Sequence, residues 1–166
     1  PTDEESNFKM TQDRLLSKVA IPEANIHRVK GEANPDDEAV RYGSEIEKHL
    51  VKKNGIPVFD IIILGMGSDG HTASIFPHEM ELLESEAICA VANHPESGQK
   101  RVSLTGPVIN SAKSVCFLVT GEGKKEKLKE IIKNEGSASD YPAAHIKVNE
   151  GELIWFLDEA AAEEVK

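Results

Sequence analysis

The residues best placed to do chemistry lie in one stretch, Gly65-Met66-Gly67-Ser68-Asp69-Gly70-His71-Thr72-Ala73-Ser74-Ile75-Phe76-Pro77. Its glycines Gly65, Gly67 and Gly70 let the backbone turn sharply and come close to a ligand. The stretch follows Val58-Phe59-Asp60-Ile61-Ile62-Ile63-Leu64, the strongest strand signal in the chain. Open α/β sheets bind ligands outside the carboxyl ends of their strands. A helix beginning over Thr72 to Phe76 would turn its free amides and positive end toward the loop. That geometry attracts phosphate, carboxylate or a developing oxyanion. It also disfavours an imidazolium, so His71 is expected in its neutral form, ready to act as a general base. Asp69, two residues earlier, would orient the ring or hold a substrate hydroxyl. The plainer reading is a turn in which Asp69 caps the helix and His71 merely packs.

Other routes to catalysis are weaker. Gly65-x-Gly67-x-x-Gly70 matches the dinucleotide fingerprint, but the next strand candidate ends at Val91-Ala92-Asn93-His94 with no acid to hold a ribose. No Gly-Lys-Ser/Thr follows the turn, and no Gly-x-Ser-x-Gly elbow surrounds Ser68 or Ser74. Of the six histidines, only His71 and His78 have a spacing that suggests metal ligands, and no acidic motif lies between them. No metal site is therefore expected. Cys89 and Cys116 are isolated. They read as small core residues of a protein in a reducing cytosol.

The elements that must position these residues alternate between apolar runs and amphipathic stretches, the mark of an α/β layer fold. Helices are expected over 7–19, from Asn34-Pro35-Asp36-Asp37 through Leu50, from Pro107 to Ala112 and from Gly121 to Lys133. An Ala-rich tail helix is expected after Asp158. Strands are expected at 26–29, 58–64, 88–91, 101–105, 114–119 and 153–157. The near-continuous apolar run at 58–64 suits a central parallel strand covered on both faces. Loop 93–100, with His94, Pro95, Ser97, Gly98 and Lys100, either lines a site or is ordinary surface. The chain has 166 residues, 39% hydrophobic and 29% charged, with a formal charge of −10. That suits one domain with a real core. It argues against a general nucleic-acid or anionic-membrane binder. No apolar run is long enough to span a membrane, and the start Pro1-Thr2-Asp3-Glu4-Glu5 is unlike a secretory signal.

Gly65 to Pro77 resembles the signature of the 6-phosphogluconolactonase family, within the superfamily that also holds glucosamine-6-phosphate isomerase. Other segments agree in order. They are Ser6-Asn7, Arg101-Val102-Ser103-Leu104-Thr105, Pro107-Val108-Ile109-Asn110 with Ala112, and Phe117-Leu118-Val119-Thr120-Gly121 with Lys124. Tyr141-Pro142-Ala143-Ala144 and Trp155-Phe156-Leu157-Asp158-Glu159-Ala160-Ala161 follow. The resemblance implies an open, mostly parallel, doubly wound, Rossmann-like sheet with helices on both faces. Residues 1–166 would form a single domain equal to about the carboxyl-terminal two-thirds of the family's. Family members carry an earlier Ser-Gly-Gly phosphate turn and an Asp-Glu-Arg segment, and this chain begins after both. A sheet edge and an apolar face are then expected to lie open. They are expected to associate with the missing segment or with another copy. His78 stands where the family commonly has Gly.

The implied reaction is hydrolysis of 6-phospho-D-glucono-1,5-lactone to 6-phospho-D-gluconate, in the cytoplasm, as part of the oxidative pentose phosphate pathway. The lactone is an activated ester, so no metal, cofactor or covalent nucleophile is implied. His71 and Asp69 are the expected catalytic pair. Gly65, Gly67, Ser68, Gly70 and Thr72 are expected to bind substrate. Lys100 and Arg101 are the candidates for its phosphate. Two alternatives remain at this point. One is a glucosamine-6-phosphate isomerase or deaminase, whose branch carries an acidic residue between the histidine and the proline; here Thr72 to Phe76 has none. The other is an inactive phosphosugar-binding remnant.

Overall fold

A computed structural model describes residues 1–165. Lys166, the end of the expected domain and tail helix, lies outside the described residues. The helices are α1 (Asn7–Arg14), α2 (Pro35–His49), α3 (Gly106–Asn110) and α4 (Lys125–Lys133). The strands are β1 (Lys52–Lys53), β2 (Ile56–Pro57), β3 (Ile61–Leu64), β4 (Cys89–Asn93), β5 (Lys100–Leu104), β6 (Ser114–Val119) and β7 (Glu152–Leu157). The expected α/β layering is present. β3, β6 and β7 form a parallel sheet with β6 in the centre. Among the described residues, no helix is long and apolar enough to cross a membrane.

Local chemistry explains most boundaries. Asn34 caps α2 by accepting from the Asp36 and Asp37 amides, at 3.0 and 3.2 Å, and Pro35 occupies the first helical position. Asp36, Asp37 and Glu38 face the positive end of the dipole. Helix α4 ends at Asn134, whose left-handed backbone (φ 52°) closes it. Some expected boundaries differ. Residues 26–29 form no strand, because they are strapped to α2 rather than to a sheet. The first helix stops at Arg14 and gives way to a short 3₁₀ turn. After Asp158 the chain forms turns rather than a helix; Asp158 accepts from the Ala161 amide and also, through both oxygens, from that of Gly121. That second bond ties the outlet of β7 to the outlet of β6.

The core lies on one side of the parallel sheet. Ile62, Leu64, Val115, Phe117 and Val119 point into it and meet Ile109, Leu128, Ala143 and Ile146. Phe117 stacks on Trp155 with centroids 4.0 Å apart. The 58–64 run promised burial on both faces, but alternation wins. Ile61 and Ile63 are 61% and 63% exposed, while Ile62 and Leu64 are buried. Leu118 and Phe156 continue the exposed face. The expected open apolar face is therefore present among the described residues, and β3 pairs only with β6, which leaves its other edge free. The 88–91 and 101–105 segments do not join this sheet. β4 and β5 pair with each other, antiparallel, as a separate ribbon. The ribbon's Cys89, Val91, Val102 and Leu104 face Ala39 and Ile46 of α2. Burial pushes the Cys89 thiol up to about 12, as suits an inert core residue.

This one-sided core makes a stability prediction. Phe117→Ala should cost about 3–5 kcal/mol. Ile63→Ala, equally apolar but on the open face, should cost about 0.5 kcal/mol or less. Urea denaturation of the two variants measures the contrast.

Candidate functional site

The turn after β3 departs from the expected strand–loop–helix. Thr72 to Phe76 is not helical. Thr72 and Ile75 bridge across a tight turn, with Ala73 at φ 50°, and a 3₁₀ segment begins only at Pro77. No helix amino terminus stands behind His71, so the dipole cannot be what sets its state. A carboxylate stands there instead. His71 Nδ1 lies 2.6 Å from Asp69 Oδ1, and the same oxygen accepts from the His71 amide at 3.1 Å. Burial pushes the Asp69 carboxyl upward, but hydrogen bonds from the backbone and ring of His71 outweigh it and leave the group below its usual range. Asp69 is therefore an anion near neutral pH and only accepts, so Nδ1 carries the proton. Nε2 is left with its lone pair whenever the ring is neutral. The His71 side chain is 25% exposed and takes part in no other hydrogen bond among the described residues. It is not sealed in apolar packing.

Gly67 makes this pair possible. A Cβ there would collide with Nδ1 and Cε1 of His71 and with Asp69 Oδ1. The Gly67 amide also donates to the His71 carbonyl at 2.9 Å. Gly70 sits at φ 84°, and a Cβ on it would come within 2.7 Å of the Tyr141 ring. The Gly70 amide donates to the Gly67 carbonyl, and its own carbonyl accepts from Ala143. Thr72 is fully buried, its hydroxyl donating to the Gly65 carbonyl at 2.9 Å. That hydrogen bond braces the loop. The amides of Gly67, Gly70, His71 and Thr72 are all bonded within the turn, which narrows the expected amide cradle. Ser68, exposed at the tip, has an amide that joins none of these bonds. Gly65 has open space where a Cβ would stand.

Supports to which the sequence reading gave no such role surround the turn. Phe76 is buried against the His71 ring at 4.7 Å and meets His94 edge-on at 5.4 Å and His78 stacked at 5.8 Å. His94 of the 93–100 loop thus reaches the site. Asn93 is anchored to the buried carboxylate of Glu79 through its amide and side chain. Tyr141 covers Gly70 and donates its hydroxyl to Glu130 at 2.6 Å. The Ser74 amide donates to the Ser103 hydroxyl at 3.0 Å. His94 and His78 stand out in the sequence, and Phe76, Ser103 and Tyr141 lie within the family pattern; Glu79 and Glu130 carry no signal there.

Strand alternation separates Lys100 from Arg101. Val102 and Leu104 face α2, so Lys100 lies on that same face, with its ammonium 3.5 Å from Asp36. Arg101 shares the opposite face with Ser103, which holds the glycine turn. The two Cα atoms on that face are about 7 Å apart. One groove along α4, by contrast, sets four carboxylates, Glu126, Glu130, Glu135 and Glu164, against the single cation Lys129, itself paired with Glu164, a balance that opposes a phosphate.

An open parallel sheet with an Asp–His pair on the turn after a strand defines a class, the α/β proteins whose chemistry sits at strand outlets. A family model described as glucosamine-6-phosphate isomerases/6-phosphogluconolactonase matches residues 1–155, and the chain belongs to that family. It is 47% identical over 161 residues to the 6-phosphogluconolactonase of Haemophilus influenzae, covering 97% of this chain and 67% of that one. It is 50% identical over 131 residues to that of Treponema pallidum, covering 79% of this chain and 54% of that one. The crystal structure of devB protein superposes with a TM-score of 0.94 at 42% identity, over all of this chain and 69% of that one. The chain thus spans from about half to about two-thirds of these relatives' length.

Two variants probe the pair. Gly67→Ala should force Nδ1 off Asp69 while the fold persists, seen as loss of the hydrogen-bonded His71 ring proton in the NMR spectrum. The depressed Asp69 carboxyl contributes stability above its unfolded value of about 3.9, and this is lost as pH falls through the native value. Urea midpoints of wild type should therefore exceed those of Asp69→Asn at neutral pH and converge with them in strong acid.

Proposed function

We propose that this chain carries the hydrolytic site of a 6-phosphogluconolactonase, opening 6-phospho-D-glucono-1,5-lactone to 6-phospho-D-gluconate. The observation that carries the reading is the Asp69–His71 pair, which leaves Nε2 unbonded at the outlet of β3. His71 Nε2 takes a proton from water, and the water oxygen bonds to C1 of the lactone. Asp69 steadies the positive charge that the ring gains. The amide of Ser68, at the tip of the turn held by Gly65 and Gly70, is the donor proposed for the oxyanion at C1. Collapse breaks the bond from C1 to the ring oxygen, and His71 returns the proton to that oxygen. Arg101 is the proposed phosphate ligand, because its strand face meets the turn; Lys100 is engaged by Asp36 on the other face. The steps use these side chains and amides alone. The isomerase alternative has less support, since Thr72 to Phe76 offers no acid for ring opening. The proposed setting is the second step of the oxidative pentose phosphate pathway, in the cytoplasm.

The test is hydrolysis of freshly made lactone above its spontaneous rate. It is run on this chain and on the chain extended at its amino end by the corresponding Haemophilus segment. His71→Ala should lower kcat by about 10²–10⁴-fold. Arg101→Ala should mainly raise KM, and Lys100→Ala should raise it less. An extended chain without activity, or a His71→Ala variant with undiminished turnover, would refute the reading.

A further inference from the structure

Residues 26–30 have no regular structure but are strapped along one face of α2. The Lys30 amide donates to Glu38 at 2.6 Å, the Arg41 guanidinium to the Arg28 carbonyl at 3.2 Å, and the Tyr42 hydroxyl to the His27 carbonyl at 3.1 Å. Glu45 and His49 continue that stripe at helical spacing. The straps bring His27 Nδ1 to 3.0 Å from Glu45 Oε1, and His49 Nε2 lies 3.2 Å from the same oxygen. The two imidazoles face each other with centroids 4.0 Å apart, tilted by 42°. All three ligand atoms lie within 4.8 Å of one another. We propose that His27, Glu45 and His49 form a binding site for a divalent transition-metal ion, zinc by donor type, which fastens residues 26–30 to α2.

The donor geometry is the argument. Two rings aimed at one carboxylate oxygen can both donate protons to it, but the same lone pairs and oxygen can converge on a cation. A zinc ion sits about 2.0–2.2 Å from nitrogen and oxygen donors, which places neighbouring donors about 3–3.5 Å apart. The two short separations here already fall in that range. Two histidines and a glutamate are a zinc donor set that leaves room for water. Lys48 donates to the other Glu45 oxygen at 3.2 Å, which fixes the carboxylate as an outer-shell partner does. The cluster sits on α2, which packs on the ribbon face opposite Arg101, so it is separate from the His71 turn. The Glu45-x-x-x-His49 spacing is visible in the sequence, but His27 joins it only through the straps.

The experiment titrates the chelator-treated chain with zinc chloride, and with cobalt(II) chloride as a spectroscopic stand-in. Binding of one ion per chain at micromolar zinc, ligand-field bands with cobalt and a Tm that rises with zinc concentration are expected. His27→Ala and His49→Ala should each weaken binding by at least about tenfold. His71→Ala should leave it unchanged. Circular dichroism is the check that each variant stays folded, which is expected because both histidines lie at the surface. Binding undiminished in the double variant, binding lost in His71→Ala, or no binding at sub-millimolar zinc overturns the proposal.

Discussion

One hydrogen bond, from His71 Nδ1 to Asp69, is what the candidate site depends on. Partners only two residues apart can meet in this way only if the backbone between them folds back on itself. That needs a left-handed Gly70 and a Gly67 with no side chain in the space the ring and the carboxylate occupy. The bond decides which nitrogen carries the proton and therefore which faces outward as a base. It also replaces the helix dipole as the electrostatic influence on the ring. A helix end would oppose positive charge there, whereas the carboxylate supports it.

A bond on an exposed turn holds its geometry only if the turn is braced. Thr72 ties the turn to its own start, Ser103 holds it to the ribbon, and Tyr141 closes over Gly70 from the loop after α4. Phe76 supplies a buried apolar floor for the His71 ring. The sheet gathers these parts. The outlets of β3, β6 and β7 lie at one end because the strands are parallel, and Asp158 links two of them through the Gly121 amide. Parallel pairing thus turns three distant stretches of sequence into neighbours.

Much of this was legible from residue order. Asn34-Pro35-Asp36-Asp37 announces the start of α2 because capping and dipole effects are local. The run Ile61 to Leu64 reads as a strand for equally local reasons. The run could not say that one of its faces would lie open, because an apolar residue reads the same whether or not a neighbour covers it. The turn's glycines and the Asp69-x-His71 spacing located the candidate site. The same local reading erred in continuing the turn into a helix, because a tertiary bond from Ser103 holds Ser74 in a tight turn.

The sequence alone determined what is fixed within a few residues: the caps, the strand signals, the glycine turn and the pairing of an acid with an imidazole inside it. The tertiary structure alone decided what depends on elements far apart in the chain. It set which of two adjacent cations shares a face with the turn, since strand alternation points Lys100 and Arg101 to opposite sides of the ribbon. It also set which histidines meet a carboxylate, since His27 reaches Glu45 and His49 only through straps along α2. Side-chain direction follows from pairing register and packing, and neither exists until the chain has folded.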